Sequence, residues 1–146
     1  MIFEIRKFMI KTCIYIYLIF SFNFSNVNDS VEVKKVIIHY IYLGTETQHN
    51  ISCNVLDAYQ GKKGYKVKQL TNATQINLFM DALNIYKTPP LVKNIDVRAK
   101  AYIHYFNGKV SVACIDQFGD IMLDNKFIGV SSSLLSFLIK NCEGFA

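Results

Sequence analysis

No stretch rich in proline, glycine and serine divides this chain: its two prolines stand together at 89 and 90, and its seven glycines are scattered. With no linker composition to split it, the region from 31 to 146 reads as a single globular domain, long enough for one real core. Charge is sparse as well. Charged residues make up 18% of the chain and aromatics 14%, a balance that argues against disorder. Spaced chemical motifs are missing too. There is no Cys-x-x-Cys or His-x-x-x-His pair for zinc, and no Gly-x-Ser-x-Gly elbow for a serine nucleophile. "GKKG" at 61–64 lacks both the spacing of a phosphate cradle and the helix that should follow it. No metal and no cofactor is implied.

What is present begins with Arg6, Lys7 and Lys11, followed by the apolar run from Thr12 to Phe22 and the polar "NFSNVNDS". Basic, apolar, then polar is the order of a secretory signal peptide, placed here at 1–25 with its cut between Ser21 and Asp29. The run is shorter than the roughly 20 residues a spanning helix needs. Starting it at Phe8 and tolerating Lys11 gives the alternative, an uncut membrane anchor over 8–22. Cleavage removes three basic residues and Glu4, which lowers the net charge from +5 to +3. So mild an excess does not point to nucleic acid. One local concentration remains in Lys62, Lys63, Lys66 and Lys68, either a solvated strand edge or a site for an anionic partner.

Hydrophobic patterning predicts an α+β fold, an antiparallel sheet with two helices packed on one face, in the order βββα then ββββα. Residues 33–44 are dense in Val, Ile and Tyr and read as a buried strand. "ISCNVLD" at 51–57 alternates as a second strand, and "YKVKQ" at 65–69 as a third with one wet face. Ile76, Phe79, Met80, Leu83 and Tyr86 recur at helical spacing, which predicts a helix over 73–87. Asn72 and Gln75 suit its capping box, and Pro89-Pro90 forbids its continuation. "DN" at 124–125 reads as the turn of a last short hairpin. The final helix, over 132–142, has serines for its N-cap, Gly144 as its stop, and a stripe of Leu134, Leu135, Leu138, Ile139 and Cys142. Short matches between the halves, "IHY" at 38–40 and 103–105 and "ISCNVLD" against "VSVACID", are those of a degenerate duplication.

The segment "AYIHYFNGKVSVACI" at 101–115 sets the functional expectation. A two-residue type I′ turn at Asn107-Gly108 pairs His104 with Ser111 and Ala101 with Cys114. Cys114 then lies on the opposite sheet face from Tyr102, His104 and Phe106. That register excludes a Cys114–His104 dyad and makes His104–Ser111 a cross-strand polar pair. With the leader gone, Cys53, Cys114 and Cys142 read as buried free thiols, and Cys53–Cys142 as the one bridge the topology allows. Asn50 and Asn72 head glycosylation sequons, relevant only in a eukaryotic host.

The expected function is a small exported, periplasmic or secreted, non-enzymatic binding protein, such as an inhibitor, immunity-type or adhesion module. It engages another protein or envelope macromolecule through Tyr102, His104 and Phe106, with the lysines at 62, 63, 66 and 68 as a second contact region. The alternatives are an exported hydrolase or transferase with a dispersed site, and a membrane-tethered accessory subunit holding its leader.

Overall fold

The computed structural model describes residues 32–59, 64–84, 86–87 and 94–146. The leader with its cut and its alternative anchor, Lys62, Lys63 and Pro89-Pro90 lie outside these residues. The elements are β1 (Val33–Tyr40), a 3-10 turn (Leu56–Ala58), β2 (Lys66–Leu70), α1 (Ala73–Asn84), β3 (Val97–Tyr105), β4 (Val110–Asp116), β5 (Asp120–Leu123), β6 (Lys126–Val130) and α2 (Ser132–Asn141). Six antiparallel strands form one sheet in the order β2-β1-β3-β4-β5-β6. This is the expected α+β architecture.

Alternation along the strands produces the core. Val36, Ile38 and Tyr40 of β1, Ala99, Ala101 and Ile103 of β3, and Ala113 and Ile115 of β4 bury toward the helices. Facing them are Ile76, Phe79, Ala82 and Leu83 of α1 and Leu134, Phe137 and Leu138 of α2. The rings of Phe79 and Phe137 meet edge to face at 5.7 Å. Ser131 caps α2, its Oγ accepting from Leu134 N at 3.0 Å while donating to Ala82 O at 2.8 Å, so the cap also joins the two helices. Asn72 Oδ1 accepts from Thr74 N at 2.8 Å at the start of α1. None of the described helices is long and apolar enough to cross a membrane.

Several expectations are corrected. Residues 51–57 form no strand. Their backbone closes turns, with Val55 N and Leu56 N donating to Ser52 O and Ala58 N to Val55 O. Val55 is 51% exposed, whereas Leu56, from the opposite set of the apparent alternation, is fully buried. The first half therefore contributes two strands to the sheet before its helix. "VSVACID" is strand β4, so the matched heptads take different structures and the repeat does not extend to the fold. Helix α1 ends at Asn84, short of 87, and Lys87 instead bridges Val130 of β6. In α2, Phe137 takes the buried place assigned to Ile139, which is 46% exposed.

The β3–β4 register is one residue off the predicted one. Gly108 N donates to Tyr105 O at 3.1 Å and Tyr105 N to Lys109 O at 2.9 Å, enclosing a three-residue loop with Gly108 at φ +85°. A single left-handed glycine closes a type I turn with a bulge, where a type I′ turn needs two successive positive φ values. Asp124 and Asn125 supply such a pair, at φ 48° and 65°, in the last hairpin. Val110 therefore faces His104, Val112 faces Tyr102, and Cys114 faces Lys100. A one-residue slip moves a whole strand to the other face. Cys114 thus shares a face with Tyr102 and His104, while Ser111 is buried on the helix side opposite Ile103.

Candidate functional site

The sheet face turned away from the helices is covered at one end by the chain between β1 and β2. Ile51 and Leu56 bury there against Ile41, Ile95, Val97 and Cys114. A disulfide joins Cys53 of this cover to Cys114 of β4, with Cα atoms 5.8 Å apart. Cys53 and Cys114 are therefore not free thiols, and the partner of Cys53 is not Cys142. Cys142 remains a buried free thiol, which burial pushes up to about 11.

Arg98 holds the start of the cover. Its buried guanidinium pairs with Asp96 Oδ2 at 2.7 Å and donates to the carbonyls of Leu43 and Thr45, while Asp96 Oδ1 accepts from Ile51 N at 2.8 Å. Burial alone raises the Asp96 carboxyl, but these bonds outweigh it and hold the group below the ordinary carboxylate value.

Asp57, at the 3-10 turn, ties the other end of the cover to the sheet. His39 Nδ1 lies 2.7 Å from Asp57 Oδ1, while Lys100 Nζ at 2.5 Å and Tyr102 OH at 2.6 Å both donate to Oδ2. Burial favours a protonated Asp57, yet its bonds from Lys100, Tyr102 and His39 hold it below the usual range. For Lys100 burial favours the neutral amine, and the bond to Asp57 reverses that, lifting it above its usual value. An ionised carboxylate only accepts, so His39 Nδ1 carries a hydrogen and Nε2 is the acceptor of the neutral ring. The imidazole stacks on Tyr65, centroids 4.9 Å apart, with the edge of Tyr102 at 5.3 Å.

The histidine–carboxylate pair is the orienting half of a base-nucleophile arrangement. Among the described residues no hydroxyl or thiol hydrogen-bonds to His39, and no three His, Cys, Asp or Glu residues stand together for a metal ion. A cleft of about 950 Å³ opens beside the cover, walled by Tyr40, Tyr42, Tyr59, Ile51 and Val55 with Lys66 at its rim. His39, Asp57, Lys100 and Tyr102 do not line it.

Among the described residues, Tyr102 and His104 share one sheet face, apart from Phe106 and from Lys66 and Lys68. Tyr102 and His104 lie half-buried on the cover-side face, and the Tyr102 hydroxyl is committed to Asp57. Phe106 occupies the hairpin turn, 63% exposed. Lys66 and Lys68 pair with Tyr40 and Ile38, which puts them on the helix-side face, and Lys66 Nζ donates to Glu143 O at 3.1 Å. Sequence reasoning missed His39, Asp57 and Lys100 as a unit. The available signal was Arg98 and Lys100 within the otherwise apolar "VRAKAYI", since buried cations need partners. Comparison with protein-family models, curated proteins and solved structures finds no match for this chain.

Proposed function

We propose that this protein is a small exported binding module with no reaction of its own, which holds a segment of another macromolecule in the cleft walled by Tyr40, Tyr42 and Tyr59. One observation carries the reading: the cleft and the acid–base cluster do not coincide. Catalysis needs titratable groups within hydrogen-bond reach of a bound substrate. Here Asp57 is occupied by three donors and fastens the cover, and the cavity sets aromatic and aliphatic walls suited to contact beside the exposed, polar Glu46 and His49. The Cys53–Cys114 disulfide supports an oxidising compartment, in keeping with an export leader. A photo-reactive phenylalanine at Tyr42 should crosslink one species from the native extracytoplasmic fraction, while the same group at Leu78 on α1 should crosslink none. Equal crosslinking at both positions removes the cleft from the reading.

A second reading, an exported hydrolase or transferase, is favoured by the 2.7 Å His39–Asp57 pair alone. It requires substrate or a residue beyond the described ones to bring a nucleophile to Nε2. Turnover lost on His39→Ala with the fold intact decides for it.

A further inference from the structure

Among the described residues the two edges of the sheet differ. At β6 the chain caps its own edge, with Lys87 N donating to Val130 O at 2.9 Å and Val130 N to Lys87 O at 2.8 Å. At the opposite edge β2 pairs with β1 on one side, and among the described residues no segment pairs with its outer side. An uncapped edge presents a row of main-chain donors and acceptors to an incoming strand.

We propose that β2 is a strand-addition site for an extended segment of another protein in which acidic and apolar residues alternate. Lys66 and Lys68 project to one face of the strand, and Val67, 56% exposed, with Gln69 to the other. A strand laid alongside with the same two-residue period sets its acidic side chains beside the lysines and its apolar ones beside Val67. Lys66 keeps donors for such a partner, because the Glu143 carbonyl takes only one of the three on its ammonium. A second copy of this chain does not fit. Pairing β2 with its own counterpart brings lysines against lysines, and like charges opposite one another destabilise a ladder. The strand site shares Lys66 with the rim of the cleft, but the unlike sheet edges carry it and protection along β2 tells the two sites apart.

The test uses the full protein and a short synthetic peptide alternating glutamate with valine, with a lysine-for-glutamate version and a version carrying a central proline as comparisons. Amide hydrogen exchange should slow at β2 with the acidic peptide, and at neither comparison peptide. The Lys66→Glu/Lys68→Glu variant, checked for an unchanged circular dichroism spectrum, should lose the acidic peptide by about tenfold and gain the basic one. Because reversing Lys66 also removes its bond to Glu143, the wild-type exchange footprint decides the matter if the variant does not fold. Equal binding of the acidic and basic peptides overturns the proposal, as does protection confined to other strands or absent altogether. Protection of β2 that rises with protein concentration alone makes the occupant a second copy and overturns it equally.

Discussion

Cys53 and Cys114 bind the cover to the sheet, and Lys100, directly across the β3–β4 ladder from Cys114, receives the second fastening through Asp57. The covalent and the ionic tie thus meet on neighbouring strands of one face. Between them they hold Ile51 and Leu56 over the second hydrophobic cluster and set Val55 and Tyr59 in the wall of the cleft.

Loss of the disulfide should therefore weaken the whole fold. Its half-cystines are 61 residues apart, and closing a loop of that length stabilises by roughly 4 kcal/mol in the chain-entropy model. Cys53→Ser should lower unfolding free energy in urea by about that amount. Alkylation of the denatured, unreduced protein should label Cys142 and leave Cys53 and Cys114 unlabelled until a reductant is added.

Asp57→Ala should be costly because it leaves Lys100 charged and buried with no carboxylate, a loss of roughly 3 kcal/mol or more. Lys100→Met in the same chain should recover part of it, since an apolar side chain has no such demand. A double-mutant cycle measures this coupling, and additive single effects would show that the pair does not act as a unit.

The helix layer should respond to truncation where the helices face the sheet and little elsewhere. Leu83→Ala should cost roughly 2–5 kcal/mol as a core truncation. Ile139→Ala, on the exposed side of α2, should stay within about 0.5 kcal/mol. Thermal or urea unfolding of the two variants tests the assignment of faces.

Asp116 gives the fold a pH dependence of its own. Burial and the neighbouring Asp120 push its carboxyl from 3.8 up to about 6, although backbone bonds from Asp120 and Phe118 act against that shift. Between those values the folded chain holds a proton the unfolded chain lacks, so this contribution to stability falls as pH rises from about 4 to about 6. Asp57 and Asp96, both lowered, act with the opposite sign: their stabilisation is present above 3.8 and is lost as pH falls through their folded values. Asp116→Asn keeps an oxygen for Phe118 N and Asp120 N, so it should raise stability above pH 6 and flatten the curve between about 4 and 6. Denaturant titrations across that range would show it, and an unchanged slope would count against a buried Asp116 charge.

Local periodicity was enough to place α1, α2, β1 and the β3–β4 hairpin, because burial on one side of a helix or strand leaves its mark at 3.6 or two residues. The Ser131 cap and the Asp124-Asn125 turn were legible for a similar reason, as both depend on the dihedral and hydrogen-bonding habits of single residues. Asn107-Gly108 allowed two turns of different length, and only the closed ladder chose between them. That single residue of register put Cys114 on the cover-side face and Ser111 under the helices. The loop character of 51–57 was likewise out of reach, since its apparent alternation is also what a cover needs to place Ile51 and Cys53 inward. His39, Asp57 and Lys100 lie far apart in the chain, and a charge buried at one position is matched by another that only the folded backbone brings within hydrogen-bond distance.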